Sequence, residues 1–197
     1  MALAQPTPLP FPESERNDSV FQPQQQDPLV EFAEQFTQLQ GKFSYSLHVE
    51  ELKANLLTLL QQNGWTKVYV AEASLKNLVP DTWLYADIAT CHVAITSCEV
   101  LVARTGSILL SSAQQGRVPS VYAPVHICIA GASQLVYDIG DALAFVKNKY
   151  GDSLPSLITL ATGPSRTADI EKTLVVGVHG PGEVYCLVVE DEQQASH

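Results

Sequence analysis

An α/β fold with a mostly parallel central sheet is what this chain predicts, and three observations carry the prediction. Short apolar runs separated by turns recur from Lys42 to Val189, and two segments among them repeat apolar residues at three- and four-residue spacing. The order strand, helix, strand over residues 42–71 is how parallel α/β units begin. Hydrophobic residues make up 46% and charged residues 16% of the 197, a balance that suits one folded domain and excludes wholesale disorder, collagen-like repeats and a charged coiled coil.

Six of the twelve prolines fall within the first 28 residues, which show no apolar period. Residues 1–28 therefore read as a flexible Pro/Gln-rich arm serving solubility or docking. From Leu29 the pattern changes. Leu29, Phe32 and Phe36 suggest a short helix, and Lys42–His48 alternates like a strand. Val49, Leu52, Leu56, Leu59 and Leu60 then mark the clearest helix, with Glu50 and Glu51 at its positive end and Asn63-Gly64 as its stop. Strands are expected at Lys67–Ala71, Cys91–Ile95, Glu99–Ala103, Ile108–Leu110 and His126–Ala130. A second helix from Asp138 carries Ile139, Ala142, Leu143 and Val146 on one face, Lys147 and Lys149 near its end, and Gly151 just beyond. Leu157–Ala161 reads as a strand, Thr167–Val175 as a short helix and Glu183–Val189 as a closing strand, with an added hairpin possible within the set. The folded domain should span 29–190, with an acidic tail over 191–197.

The formal charge of −10 is concentrated at the ends: −5 over residues 1–34, −2 over 35–189 and −3 over 190–197. A nearly neutral body with scattered Lys and Arg lacks the basic face that phosphate neutralisation requires, so nucleic acid is excluded as a partner. There is no basic amphipathic helix for an anionic membrane surface and no apolar run near the roughly 18 residues of a membrane span. The N-terminus has neither a basic start nor a continuous apolar stretch, so no secretory signal is expected and the protein is expected in the cytoplasm. Cys91, Cys98, Cys128 and Cys186 form no C-x-x-C pair and sit among apolar neighbours. They read as buried, reduced thiols, with neither a zinc nor an iron-sulfur site and no cofactor expected.

The stretch most suited to chemistry is Ala161–Glu171, running from the end of a buried strand through a Gly163-Pro164 turn into an expected helix start. Free N–H groups of a first helical turn attract anions, Ser165 and Thr167 carry hydroxyls, and Arg166 forks onto carboxylate or phosphate. Asp169 and Glu171 at the same helix end offer the competing structural reading, in which they satisfy the dipole and Arg166 internally. Downstream, Val176–Glu183 holds three glycines, Pro181 and His179. Its spacing is not a dinucleotide fingerprint, and His179 serves either as acid, base or donor, or as structure. Arg104-Thr105-Gly106-Ser107 is either a hairpin turn or a second polar loop facing the first. The stretch Gly163–Thr167 lacks the second glycine of a nucleophile elbow, and His48, His92 and His126, in or next to strands, read as packing or structural hydrogen bonding. No catalytic residue is assigned.

The segment Thr162-Gly-Pro-Ser-Arg-Thr-Ala-Asp-Ile-Glu171, followed by Val176-Gly-Val-His-Gly-Pro181, resembles the signature of the LUD domain as found in lactate utilization proteins. The likeness extends through Ala103–Ser107, the 112–119 loop and Pro124–Ile127, and so covers roughly residues 42–190. It implies a Rossmann-like α/β core of the NagB/RpiA/CoA transferase-like kind, similar to ribose-5-phosphate isomerase, CoA transferases and the folate cyclo-ligase. It also implies a role in oxidising L-lactate to pyruvate alongside iron-sulfur partner proteins that carry the electrons. One departure matters. Family members usually have an acid where this chain has Arg104, so chemistry needing that acid as nucleophile or base is closed to it, whereas a basic residue favours an anionic ligand.

Three functions follow as expectations. The first is an accessory subunit of lactate oxidation, with Ser165, Arg166, Thr167, His179 and Gly180 in an organic-anion or docking site. The second is an autonomous isomerase- or transferase-like enzyme, with Thr105, Gly106 and Ser107 opposite Gly163–Thr167 cradling a phosphorylated or CoA-linked molecule. The third is a structural remnant whose motif only fastens a helix to the sheet.

Overall fold

The computed structural model describes residues 24, 26–115, 122–168, 174–177 and 180–191. The N-terminal arm before residue 24 and most of the acidic tail lie outside the described residues. The first helix, α1 (Pro28–Gln38), starts where Asp27 Oδ1 accepts the Leu29 and Val30 amides at 2.9 and 3.3 Å. Pro28 at its first position needs no amide partner and has its φ preset for a helix. Phe32 and Phe36, one turn apart, are fully buried and stacked with ring centroids 5.4 Å apart.

After β1 (Lys42–Ser46), α2 (Val49–Gln62) buries Leu52, Leu56 and Leu60 of the expected stripe, with Leu59 partly buried and Val49 exposed. Its end closes with the Trp65 amide donating to the Leu60 carbonyl at 2.9 Å. β2 (Val68–Val70) follows, then two 3-10 turns over Ala73–Leu78 and Asp81–Trp83 that the sequence reading passed over. β3 (Val93–Thr96), β6 (Val125–Gly131) and β11 (Glu183–Val189) complete a five-stranded sheet of order β1-β11-β6-β3-β2, every pairing parallel. Strands buried on both faces explain the continuous apolar runs there.

A second sheet of order β7-β4-β5-β8 packs on the first. β4 (Val100–Val102) and β5 (Ser107–Ser111) form an antiparallel hairpin, β7 (Leu135–Val136) joins β4 in parallel, and β8 (Ile158–Ala161) pairs antiparallel with β5. The fold is therefore mixed α/β with a mostly parallel central sheet, as expected, and the anticipated hairpin nucleates a separate sheet. Four layers result. Leu52, Leu56 and Leu60 of α2 meet Val93, Ile127 and Leu187 on one face of the parallel sheet. Cys128, Cys186 and Val188 on its other face meet Phe32 and Phe36 of α1 and Leu101 and Ile108 of the second sheet. The far side of that sheet packs on Ala142 and Val146 of α4 (Ile139–Tyr150), which follows the short α3 (Ser112–Gln115) in the chain.

One element is corrected. The segment read as a helix over Thr167–Val175 is extended at both ends: β9 (Arg166–Ala168) pairs antiparallel with β10 (Leu174–Val176). Thr167, Val175 and Val176 are β-branched and prefer the extended backbone once a partner strand is available. Without a helix at Arg166–Ala168, the expected helix-dipole contribution to anion binding at that point falls away.

Candidate functional site

The two signature segments meet. The Ser165 amide donates to the Pro181 carbonyl and the Gly177 amide to the Ser165 carbonyl, both at 2.9 Å, while the Gly182 amide reaches the Pro124 carbonyl at 2.9 Å. The loop leaving β8 is thereby joined to the loop entering β11. Between them lies a cleft of about 300 Å³ lined by Thr162, Gly163, Pro164, Ser165, Gly180 and Pro181, with Thr159–Ala161, Val184 and His126 completing its wall. Among the described residues neither a carboxylate nor an Arg or Lys lines it. The cleft sits beside the first residues of β6 and β11, where Val184 is in register with His126, and not at the carboxyl ends of the parallel strands. The reason is topological: β8, whose end supplies the loop, belongs to the second sheet.

Other candidate residues are brought close but hold structure. Ser107, nearly fully buried, links the Thr105 hydroxyl at 2.8 Å to the Thr162 hydroxyl at 2.9 Å. Thus the two polar loops are hydrogen-bonded side by side through paired β5 and β8. Gly106 and Gly163 are the points where α1 lands. Gly106 has φ +57, and a Cβ there would lie 2.5 Å from the Phe36 amide; Gly163 has φ +79, and a Cβ would lie 2.5 Å from the Leu39 carbonyl oxygen. Arg166 Nη2 donates to that same carbonyl at 2.6 Å, placing a cation at the electronegative end of α1. Arg104 forks onto Asp138, Nε to Oδ2 at 2.8 Å and Nη2 to Oδ1 at 3.0 Å. The ion pair holds the Asp138 carboxyl below its usual range and occupies the guanidinium that the sequence reading assigned to a ligand. The side chain of Thr167 is not described, and Asp169, Glu171 and His179 lie outside the described residues.

Two buried polar groups carry more than the sequence reading allowed. Glu99, only 1% exposed, accepts from Lys149 Nζ at 2.7 Å, from the Tyr150 hydroxyl at 2.6 Å and from the Ser111 hydroxyl. Burial pushes its carboxyl up, but these donors outweigh burial and hold it below the usual range. This network ties α4 to the second sheet. His126 is 1% exposed, and burial lowers its pKa from 6.5 to about 4. Its Nε2 lies 2.8 Å from Thr96 Oγ1, while Nδ1 has no hydrogen-bond partner among the described residues. Such a histidine at an inward position of an apolar strand was the available signal. In contrast, His92 Nδ1 accepts the Thr66 and Lys67 amides at 3.2 and 3.4 Å, the structural role expected of it.

All four cysteines are buried and none is in a disulfide, and no group of three His, Cys, Asp or Glu side chains is placed to hold a metal ion among the described residues. No described helix is long and apolar enough to cross a membrane.

A layered mixed α/β domain whose two glycine-bearing loops close on one neutral cleft defines the class of protein. The LUD domain profile matches residues 31–189, so the chain belongs to the LUD domain family. It is similar to lactate utilization protein C of Bacillus licheniformis, 42% identical over 103 residues that make up 51% of this chain and 43% of that protein. Lactate utilization protein C of a Geobacillus species is 35% identical over 144 residues, 68% of this chain and 57% of that protein. The chain thus spans about half the length of these curated relatives. A crystal structure of a DUF162 family protein from Deinococcus radiodurans has the same fold, with a TM-score of 0.59 at 21% identity over 82% of this chain and 96% of that one.

Proposed function

We propose that this chain is an accessory subunit of an L-lactate oxidation system, cytoplasmic, holding a small organic anion in the cleft and acting with iron-sulfur partner proteins that carry the electrons. The observation that carries the reading is the cleft itself: both family segments contribute to it, and among the described residues its polar side chains are the hydroxyls of Thr159, Thr162 and Ser165 and a neutral histidine. Such a lining offers hydroxyls to orient a carboxylate and, among the described residues, no carboxylate, Lys or Arg to serve an autonomous isomerase or transferase as charged nucleophile or base. The names of the relatives supply the pathway. Arg104 and Arg166, engaged with Asp138 and Leu39, act as braces of the cleft. The structural-remnant reading accounts for these two arginines and for Gly106 and Gly163, but it leaves the cleft unexplained.

The test is an affinity capture of the tagged protein from its own cells grown on lactate, with mass spectrometry and an absorption spectrum of the eluate. Recovery of iron-sulfur proteins is expected. A colourless protein without partners would overturn the subunit reading and, if monocarboxylates raise its melting temperature, favour an autonomous anion binder.

A further inference from the structure

The carboxyl end of β2 opens a second cleft, of about 360 Å³, that shares no residue with the signature loops. Open α/β sheets receive ligands at the carboxyl ends of their parallel strands, and clefts of this size hold small molecules. Its walls are residues 69–71 of the strand and residues 84–86 beside it, with Lys76 completing the lining. The backbone dictates what this cleft offers. In a parallel strand, residues hydrogen-bonded to one neighbour alternate with residues that turn away from it. The Ala71 amide donates to the Ile95 carbonyl at 3.0 Å, so the odd-numbered positions of β2 face β3. The Val68 carbonyl accepts the Tyr85 amide at 2.9 Å, so the even-numbered positions face residues 84–86. Val70 shares that parity and turns its N–H and its C=O the same way, yet neither has a partner among the described residues. After Tyr85 the neighbouring segment leaves β2 and turns at Asp87, whose carboxylate accepts the Ala89 amide at 3.0 Å and the Thr90 hydroxyl at 2.9 Å. The result is a wedge, closed at one end by the hydrogen bond between Val68 and Tyr85 and bare along Val70.

Val70 is only 8% exposed, and an unpaired amide and carbonyl there call for a ligand with an acceptor and a donor side by side. We infer that the wedge binds an adenine nucleotide: N1 of the base accepts from the Val70 N–H, the 6-amino group donates to the Val70 carbonyl, and the phosphate pairs with Lys76. A flat base suits the rest of the wall, because Tyr69 and Tyr85 belong to one packed cluster and base–aromatic stacking is favourable. Tyr85 is fixed for that role by Thr90, whose hydroxyl lies 3.0 Å from its own, and by Lys67, whose ammonium lies 5.2 Å from its ring centroid. Lys76 is exposed and in no ion pair among the described residues. The acid nearest to it in sequence, Glu72, is engaged by the Ser97 amide and hydroxyl at 3.0 and 3.2 Å, which leaves the ammonium for an anion. An added peptide strand could also pair with Val70, but it would have to run on past Val68, where residues 84 and 85 already occupy the edge.

The full chain is titrated calorimetrically with AMP, adenosine and N6,N6-dimethyl-AMP, and the Val70 amide is followed by NMR-detected hydrogen exchange. AMP is expected to bind at least about tenfold more tightly than adenosine, which lacks the phosphate, and than the dimethyl analogue, which lacks the donor. In the free protein the Val70 amide should exchange faster than that of Ala71, which is bonded to Ile95, and AMP should slow it. Lys76→Ala, at an exposed position, should bind adenosine as the parent does and lose the advantage of AMP. Added L-lactate should leave AMP in place, since the two clefts share no residue. Equal affinity for the three ligands, no binding of AMP, or a Val70 amide whose exchange AMP does not slow would overturn the inference. Displacement of AMP by L-lactate would put the nucleotide in the signature cleft and overturn it as well.

Discussion

Arg104 shows how one side chain can invite a functional reading that its surroundings redirect. Its charge, opposite to the family's usual acid, suggests an anionic ligand, yet Asp138, 34 residues further along the chain, takes the fork. The partner is distant in sequence, so no local pattern announces it. Arg104→Ala should lower unfolding stability by about 1–3 kcal/mol, the range for a charged hydrogen bond removed from a partly buried carboxylate. Affinity for monocarboxylates should stay within about twofold, a range far below the tenfold loss that one direct hydrogen bond would cost. Denaturant titration and calorimetry on one preparation check both, and a large loss of affinity at unchanged stability would return Arg104 to the site. His126 is the opposite case: its strand position reads as packing, and only the structure shows Nε2 meeting Thr96 while Nδ1 is buried without a partner among the described residues.

The helix most tightly coupled to the cleft is α1, although it contributes no residue to the cleft wall. It rests on both loops through the two glycines, and its Leu39 carbonyl receives Arg166. Gly106→Ala would add both the cost of a left-handed backbone and a collision with the backbone at Gln35 and Phe36, and should destabilise the protein by roughly 1–3 kcal/mol or more. A chemical denaturation midpoint equal to that of the parent would refute the close approach. Helices α1, α2 and α4 were legible in the sequence because capping residues and apolar spacing are local signals. The β9–β10 pairing was not, since a single sequence does not say that a partner strand is at hand to override a helix-like spacing.

Three depressed carboxylates, Glu99, Asp138 and the Lys42-paired Glu183, and one depressed histidine give the whole molecule a defined acid response. Between pH 6.5 and about 4 the unfolded chain binds a proton at residue 126 that the folded chain refuses, so stability rises with pH across that window and is lost as pH falls through it. Asp138 and Glu99, held low by Arg104 and by Lys149 with its neighbours, extend the loss below the usual carboxylate range. Their contribution is present above the unfolded carboxylate pKa and disappears as pH falls through the lower folded values. Urea unfolding at about pH 7 and about pH 4.5 should therefore differ by a few kcal/mol, and His126→Gln should flatten that difference. Equal stability at the two pH values would mean that the imidazole is not held neutral. Added L-lactate should stabilise the folded chain by RT ln(1 + [L]/Kd), measurable as a rise in melting temperature that grows with concentration.

By itself the sequence determined what local chemistry can encode: the α/β class, the buried faces of α2 and α4 apart from the exposed Val49 and Leu143, the apolar strands, the Arg104–Ser107 turn, the burial of the cysteines and the two LUD segments. Periodicity, capping and turn residues act within a few positions, and the signature segments are long enough to recognise. Only the tertiary structure decided that a second sheet stands apart from the parallel one, that the two polar loops join at the β8 and β11 ends, and that both arginines are already engaged. It also buried His126 beside their cleft with Nδ1 unpartnered among the described residues. Each of those outcomes depends on which groups meet across tens of residues, and pairing of that kind is settled by packing and by the need of buried polar atoms for partners.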